Sequence, residues 1–328
     1  MVLSACLLIV VAGGCETKPN ANVATGAQSS GAPAPDSNLT AIEVVDDAGN
    51  TVRLAKPATR IISLIPSSTE TLIAIGATSQ IVGRTRYDVA EEVASLPSVG
   101  GSVDPSGEAI AALQPDLVIG WESDKRQQIR SKLMALGVPM FLLRTQDTTD
   151  VFRAIANLSR LTGHDSAGVH VSRDLRADLD SVGRSVAPLK SPSVFYVVFN
   201  DPPMTAGSRT FIGQLISLAG GRSIFSDLDA NWPNVAMEEI VRRDPDMIVV
   251  PVGEFKGNSV ERFRSMQGWR RLRAVREGRV MTVPSNLLSR PSPNIGRAAH
   301  ALRAAFFKEF RGDSVVTSLK YGAEARGN

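Results

Sequence analysis

One twelve-residue pattern of apolar and polar positions occurs twice in the chain. The segment from Glu108 to Ile119 returns 130 residues later as the segment from Glu238 to Val249, with an acid at the start and a Pro-Asp pair before the last apolar residues. Each copy predicts a short amphipathic helix that ends before its proline, followed by a buried parallel strand. Two copies of one helix-strand unit predict two similar lobes with a site between them.

Apolar runs alternate with amphipathic segments through the first part of the chain. Residues 41–54 predict a β-hairpin around a turn at 47–50. A serine or threonine of the loop 66–70 is expected to cap the first helix. Strands are predicted at 60–65, 81–83, 117–121 and 138–143, and helices that end at Gly76 and Gly137. Because this alternation is typical of a doubly wound sheet, residues 39–148 predict an N-terminal α/β lobe.

The alternation stops at Thr149. Two consecutive helices are predicted at 150–162, closed by Gly163, and at 165–186. At about 1.5 Å per residue the second helix would be roughly 33 Å long, enough to cross a small domain. Residues 149–190 are therefore interpreted as the connector between the lobes.

The order of strand, polar loop, helix and glycine returns after the connector. The elements expected in this C-terminal lobe, residues 191–314, are strands at 194–199, 247–251 and 278–283, helices at 210–219 and 295–310, and an irregular loop at 285–294. Residues 315–328 are interpreted as a tail. The predicted α/β fold thus has two doubly wound parallel-sheet lobes joined by one long backbone helix, with a ligand cleft between them.

The N-terminal segment predicts export from the cytoplasm. Residues 2–11 form an apolar run that is too short to span a membrane but suits a signal-peptide core. The small residues that follow lead into Cys15, in an arrangement that resembles the lipobox of bacterial lipoproteins. Cys6 also fits that motif in letters, but almost no apolar stretch precedes it. We therefore expect a signal peptide at 1–15 and a lipid on Cys15.

Residues 16–38 contain mainly Ala, Gly, Ser, Pro, Asn and Thr, and no aromatic residue. Such a composition cannot bury enough apolar surface to fold, so a disordered tether is predicted. A tether behind a lipid anchor would keep the folded part in the periplasm or at the cell surface, with the membrane contacted only through the lipid.

Composition argues against several classes of protein. The 36 Lys and Arg residues are nearly balanced by 33 Asp and Glu residues and are scattered, so no nucleic-acid partner is expected. With three histidines, and with Cys6 and Cys15 as the two cysteines, the folded part is not expected to hold a disulfide scaffold or a zinc site. The sequence also lacks the glycine-rich and nucleophile motifs of common α/β enzymes. A surface-anchored α/β enzyme and an interaction protein with an empty cleft are kept as alternatives.

Five segments together resemble the substrate-binding proteins of ABC importers for cobalamin, haem and ferric siderophores, most closely the cobalamin-binding members. These segments are residues 60–72, 115–121, 205–207, 219–221 and 232–233, and the similarity covers about residues 58–310. The resemblance implies a ligand held between the lobes, delivery to the transmembrane subunits of an ABC permease, and no cofactor besides the cargo, a metal chelate such as cobalamin. We expect a monomeric receptor, not an enzyme, whose lobes close only slightly on binding.

The resemblance also implies that Glu108 and Glu238 dock into arginines of the permease. A glutamate in the first turn of a helix is in any case favoured by the helix dipole, by about 0.3–1 kcal/mol. That preference does not require both lobes to place the acid in the same register, so we interpret the pair as docking residues.

The ligand-binding residues expected from the resemblance begin with Tyr87 and Trp121, whose rings can cover a large planar group. A further aromatic residue of cobalamin-binding members falls near Ser102 and has no counterpart. The candidate polar contacts are Arg86, Arg209 and Arg290. Because arginine suits carboxylate, hydroxamate and propionate groups, a ferric siderophore or haem is the alternative cargo.

Overall fold

The computed structural model describes residues 41–122, 127–135, 137–187, 189–252 and 260–307. The predicted signal peptide, Cys15, the tether and the tail lie outside these residues. No helix within the described ranges has the length and apolar character needed to cross a membrane.

The first lobe contains a hairpin and a four-stranded sheet. Its strands are β1 Ile42–Val45, β2 Thr51–Leu54, β3 Ile61–Ser63, β4 Ile81–Gly83, β5 Leu117–Trp121 and β6 Met140–Leu143, and its helices are α1 Pro66–Ala74, α2 Gly107–Ala112 and α3 Gln127–Ala135. The hairpin β1–β2 is antiparallel. The sheet has the order β4-β3-β5-β6, and each neighbouring pair is parallel. The predicted hairpin and parallel sheet are confirmed.

Two helices connect the lobes, α4 Thr148–Thr162 and α5 Asp165–Val186. The first begins two residues earlier than predicted because Asp147 caps it in a capping box with Asp150. Gly163 ends it in the left-handed conformation at φ 75°. At Gly168 a Cβ atom would lie 2.0 Å from Ser159 Oγ, so a glycine lets the two helices pack closely.

The second lobe repeats the architecture of the first. Its strands are β7 Ser193–Tyr196, β8 Phe199–Asn200, β9 Pro203–Met204, β10 Arg222–Ser223, β11 Met247–Val252 and β12 Val280–Pro284. Its helices are α6 Phe211–Leu218, α7 Met237–Arg243, α8 Val260–Ser265, α9 Arg273–Arg276, α10 Ser285–Leu288 and α11 Ile295–Phe307. The order β10-β7-β11-β12 is again parallel throughout. The fold class predicted from the sequence is confirmed.

Three details of the prediction are wrong. No serine or threonine caps α1: its N-cap is Ile65 without a side-chain bond, and Pro66 fills the first turn, where a missing N–H costs nothing. The strand expected at 194–199 ends at Tyr196, because Phe199 pairs with Met204 in a separate hairpin. The loop expected to be irregular begins with α10, at Ser285.

Successive residues of each central strand alternate between two apolar cores. In β5, Leu117 and Ile119 point to an inner core while Val118 points to an outer one. In β11, Val249 likewise points to the inner core and Ile248 to an outer one. The inner core is continuous: it contains the inward residues of both sheets together with residues of α4, α5, α6 and α11. The two lobes therefore share one core around the connector helices.

The repeated segments cover the outer faces. Ile110 of α2 and Ile240 of α7, 130 residues apart, are both fully buried there. The aspartate of the Pro-Asp pair binds backbone amides in both copies. Asp116 accepts hydrogen bonds from the amides of Thr59 and Arg60 at 2.8 and 2.9 Å, and Asp246 accepts one from the Ser193 amide at 2.9 Å. Each carboxylate thus fastens the start of the neighbouring strand.

Candidate functional site

The candidate site lies in the loops at the carboxyl ends of the parallel strands, where ligands bind to open α/β sheets. Among the described residues, hydrogen bonds join the lobes at the starts of α4 and α6 and, as described below, around Arg290. At the starts of α4 and α6, the Phe211 amide donates to the Gln146 carbonyl at 2.7 Å, and Gln214 Oε1 accepts from Thr148 N at 2.9 Å and from the Thr148 hydroxyl at 2.6 Å. These bonds fix the start of α6 against the start of α4.

Tyr87 is carried by the loop after β4 in the first lobe. Asp88 accepts hydrogen bonds from the amide and the hydroxyl of Thr85 at 2.6 and 2.7 Å, and the Thr85 hydroxyl accepts from the Tyr87 amide at 3.2 Å. The loop backbone is therefore well bonded, while Tyr87 as a whole is 44% exposed. An ordered loop that exposes an aromatic ring is suited to ligand contact.

Arg86 stands beside Tyr87, with its guanidinium 5.9 Å from the centroid of the Tyr87 ring. It also forms a 2.7 Å ion pair with Asp104 on the neighbouring glycine-rich loop. Both side chains of this pair are more than half exposed. The pair is therefore open to exchange with an anionic group of a ligand at small cost.

Arg290, a predicted polar contact to the ligand, is a buried residue in this structure. It is 6% exposed, and its guanidinium donates to Glu70 Oε1 at 3.0 Å and to the Tyr87 carbonyl at 2.8 Å. It therefore supports the Tyr87 loop from the other lobe. The preceding residue, Ser289, lies 3.2 Å from the hydroxyl of Tyr196, whose pKa is raised by burial to about 12.

Glu70 was missed by sequence reasoning. A glutamate on a helix whose other residues from Ser67 to Leu72 are apolar or hydroxyl-bearing was the available signal, because a charged residue on a buried helix needs a partner.

The remaining predicted ligand residues are distributed over both lobes. Trp121 ends β5 and packs partly against the shared core. Arg209 precedes α6 in the second lobe, where it forms an exposed 2.7 Å ion pair with Asp229. The structure thus brings together Tyr87, Arg86 and Arg290, and places Arg209 in a separate exposed pair.

Exposed aromatic side chains also stand on the described part of the second lobe. Phe199, on the β8–β9 hairpin, is 52% exposed, and Trp232 is 42% exposed. Their segments are adjacent, because Met204 bridges Asn234 and the Thr205 amide donates to the Pro233 carbonyl at 3.1 Å. Phe199 was not singled out from the sequence, since it was assigned to the end of a buried strand.

Gly207 makes the close approach of these segments possible. Its amide donates to the Asn231 carbonyl at 2.8 Å, and a Cβ atom on it would lie 1.9 Å from the Ala230 carbonyl oxygen. Any side chain at this position would push apart the backbone that carries Trp232.

Glu108 and Glu238 occupy equivalent places on equivalent helices. Each is the second residue of its helix, and both are exposed. The surroundings differ: Glu239 follows in α7 and binds Arg242 and Arg243, whereas the corresponding residue of α2 is Ala109. The hydrogen bonds from those two arginines lower the pKa of Glu239 to about 2. Glu239 is thus engaged within its own helix.

In the part of the chain that the structure describes, no group of three or more His, Cys, Asp or Glu side chains is arranged to hold a metal ion.

Two parallel α/β lobes around a shared helical connector, with aromatic side chains on the loops of both lobes, define a two-lobed binding protein. Residues 61–287 match the family described as periplasmic binding protein, and the chain belongs to that family. The family is one of binding proteins rather than enzymes.

Named relatives agree with this assignment. The vitamin B12-binding protein of Vibrio parahaemolyticus is 26% identical over 240 residues, which cover 73% of this chain and 86% of the relative. The solved periplasmic vitamin B12-binding protein of Vibrio cholerae superposes with a TM-score of 0.65 at 25% identity, over 76% of this chain and 97% of that one. A possible iron-binding periplasmic solute-binding protein of Staphylococcus epidermidis gives a TM-score of 0.67 at 26% identity, over 77% and 100%.

Proposed function

We propose that this protein is the extracytoplasmic receptor of an ABC importer and that it captures cobalamin between its lobes. The observation that carries this proposal is the exposed Tyr87 ring on the bonded loop of the first lobe, together with the exposed rings of Phe199 and Trp232 on the second. A corrin ring offers broad apolar faces, which aromatic side chains cover well. The similarity to vitamin B12-binding proteins supports the same cargo.

Delivery to the permease would use Glu108 and Glu238. Their exposure, their equivalent positions and their shared register in the repeat support docking to a two-part partner surface that carries arginines. Because an exposed ion pair contributes only about 0–1 kcal/mol, these residues would orient the complex and speed the encounter more than tighten it.

The proposed receptor is a monomer held at the membrane surface by a lipid on Cys15, with residues 16–38 as its tether. Whether a lipid is attached can be read from the mass of the mature chain. An unmodified Cys15 in material from the native membrane would remove this part of the proposal and leave the ligand site unaffected.

A ferric siderophore or haem is the second candidate cargo. Arg86 and Arg209 support it, because both present largely exposed guanidiniums that could bind hydroxamate or propionate oxygens. The iron-binding description of the similar Staphylococcus epidermidis protein points in the same direction.

Isothermal titration of the full chain with cyanocobalamin, haemin and ferrichrome tests the proposal. Saturable binding of one cyanocobalamin per chain is expected, with weaker binding by the Phe199→Ala variant. Val169→Ala is the matched control, since Val169 is also an exposed apolar residue, at 67% against 52% for Phe199, but lies on the connector helix α5. Binding of ferrichrome or haemin alone would favour the second cargo. If none of the three binds, the proposed function is wrong, and chemical turnover of any of them would instead indicate an enzyme.

A further inference from the structure

One buried carboxylate of the first lobe accepts hydrogen bonds from three side chains of the second lobe. Glu70, on α1, is 8% exposed. Its Oε1 accepts from Arg290 Nη1 at 3.0 Å, and its Oε2 accepts from Ser292 Oγ at 2.6 Å and from Asn294 Nδ2 at 3.0 Å. All three donors belong to the short segment 290–294 between α10 and α11. Both oxygens of the carboxylate are therefore satisfied from across the lobe boundary.

The second amino group of the Arg290 guanidinium also binds the first lobe. Its Nη2 donates to the Tyr87 carbonyl at 2.8 Å, while its Nη1 is held by Glu70. The guanidinium is thus bound on two sides by the first lobe, through α1 and through the loop after β4. Because a planar guanidinium has a fixed fork geometry, orienting one arm also orients the other.

Burial makes this arrangement sensitive to the loss of one member. Glu70 and Arg290 are both below one-tenth exposed, and Ser292 is fully buried. Buried charges and polar groups interact strongly when all are satisfied, and they are costly when one is left without its partner. Removal of the Glu70 charge would take away a contact that orients the Arg290 guanidinium, and would so weaken its hold on the Tyr87 carbonyl.

We propose that Glu70 is a positioning residue of the ligand site, which acts on Tyr87 through Arg290. Glu70 sets the orientation of the guanidinium, the guanidinium holds the Tyr87 carbonyl, and the backbone at Tyr87 determines where the exposed ring stands. Because the three donors belong to the opposite lobe, the position of the Tyr87 ring depends through this cluster on the distance between the lobes. This inference rests on the proposed function, in which Tyr87 contacts the ligand.

A double-mutant cycle separates positioning from a general contribution to stability. The affinity of the full chain for cyanocobalamin is measured by isothermal titration for the wild type, Glu70→Gln, Tyr87→Ala and the double variant. We expect Glu70→Gln to weaken binding about tenfold in the wild-type background and to change it little once the Tyr87 ring is absent. The same fold-change in both backgrounds, or no change in either, would overturn the proposal.

Two further variants guard against misfolding and nonspecific charge effects. Ser292→Ala removes one donor and keeps the Glu70–Arg290 pair, so a smaller loss of affinity is expected, which again should vanish in the Tyr87→Ala background. Glu43→Gln removes the exposed 2.7 Å pair with Arg53 and matches the charge change of Glu70→Gln. It is expected to leave cyanocobalamin binding unchanged.

Hydrogen exchange supplies a readout that needs no ligand. In Glu70→Gln, the amides of residues 85–88 should exchange faster than in the wild type, whereas in Glu43→Gln they should not. Unchanged exchange at 85–88 in Glu70→Gln would overturn the positioning role. If the wild type fails to bind cyanocobalamin, the proposed cargo is wrong, and the exchange experiment still decides whether Glu70 positions the loop.

Discussion

Gln114 and Asp244 both adopt the left-handed backbone conformation, at φ 46° and 36°, in equivalent places of the two lobes. They are 130 residues apart, and each follows the short helix of its copy of the repeated segment. Left-handed backbone is unfavourable for residues with a Cβ atom. The repeat therefore preserves a strained turn as well as a pattern of apolar positions.

Relief of this strain should stabilise one lobe and not the other. We expect Gln114→Gly to raise the free energy of unfolding by about 0.5–1 kcal/mol, because glycine adopts positive φ without steric cost. Asp244→Gly is the matched control. Asp244 accepts a hydrogen bond from the Arg273 amide at 3.0 Å, and the loss of that bond should cancel the gain. Urea denaturation measures both, and a destabilised Gln114→Gly protein would contradict the expectation.

Glu239 should give the stability of the protein part of its dependence on pH. Hydrogen bonds from Arg242 and Arg243 lower its pKa in the folded protein from 4.5 to about 2. Because the folded pKa is depressed, the contribution of ionised Glu239 is present above pH 4.5 and is lost as the pH falls through about 2. We expect Glu239→Gln to lower the free energy of unfolding at pH 7. The difference in the free energy of unfolding between wild type and Glu239→Gln should shrink as the pH falls from 4.5 to 2.

Urea denaturation at a series of pH values measures this difference. The matched test repeats the Glu239→Gln substitution in a protein that already carries Arg242→Gln and Arg243→Gln. Without the two donors the pH-dependent part of the difference should disappear. A difference between wild type and Glu239→Gln that stays constant with pH would show that the arginines do not act on this carboxylate.

The periodic elements could be predicted from the sequence because their patterns are local. The connector helix α5 was predicted with the bounds observed, Asp165–Val186, since its composition and the Gly163 that precedes it are local features of the sequence. The parallel strands β5 and β11 followed from the repeat. Such elements need no knowledge of distant neighbours.

The site could be predicted only in part because its environment is not local. Arg290 was expected to face the ligand, but its charge is held by Glu70, 220 residues earlier in the chain. Phe199 was placed in a strand, whereas the turn that follows folds it into a separate exposed hairpin with Met204. Neither a buried partner nor an added hairpin changes the apolar pattern from which the elements were predicted.

Reversal of the charges of Glu108 and Glu238 should separate transport from binding. We expect the variant Glu108→Lys with Glu238→Lys to lose uptake of radiolabelled cobalamin in cells that depend on this receptor, because lysines would repel an arginine-bearing permease surface. Its affinity for cyanocobalamin should stay that of the wild type. The matched control is Asp174→Lys with Asp180→Lys, which changes the charge equally at exposed positions of the connector helix. Normal uptake by the Glu108→Lys, Glu238→Lys variant would show that these residues are not needed for docking to the permease.

The shared inner core limits how far the lobes can move when a ligand binds. Inward residues of both sheets and of the connector helices pack into one cluster, so a wide hinge motion would expose many of them. Each large apolar side chain contributes about 1.5–3 kcal/mol when buried, and a nanomolar ligand supplies only about 12 kcal/mol in total. Exposure of roughly six such side chains would therefore consume all the binding free energy.

We accordingly expect small-angle scattering profiles of the full chain to superpose with and without saturating cyanocobalamin. The cross-lobe bonds at Gln214 and Glu70 restrain the same boundary and add to this expectation. A sample with ferrichrome, if titration shows that it does not bind, controls for solution effects. A marked decrease in the radius of gyration with cyanocobalamin alone would mean that the lobes separate in the free protein, and that the shared core forms only when the ligand is bound.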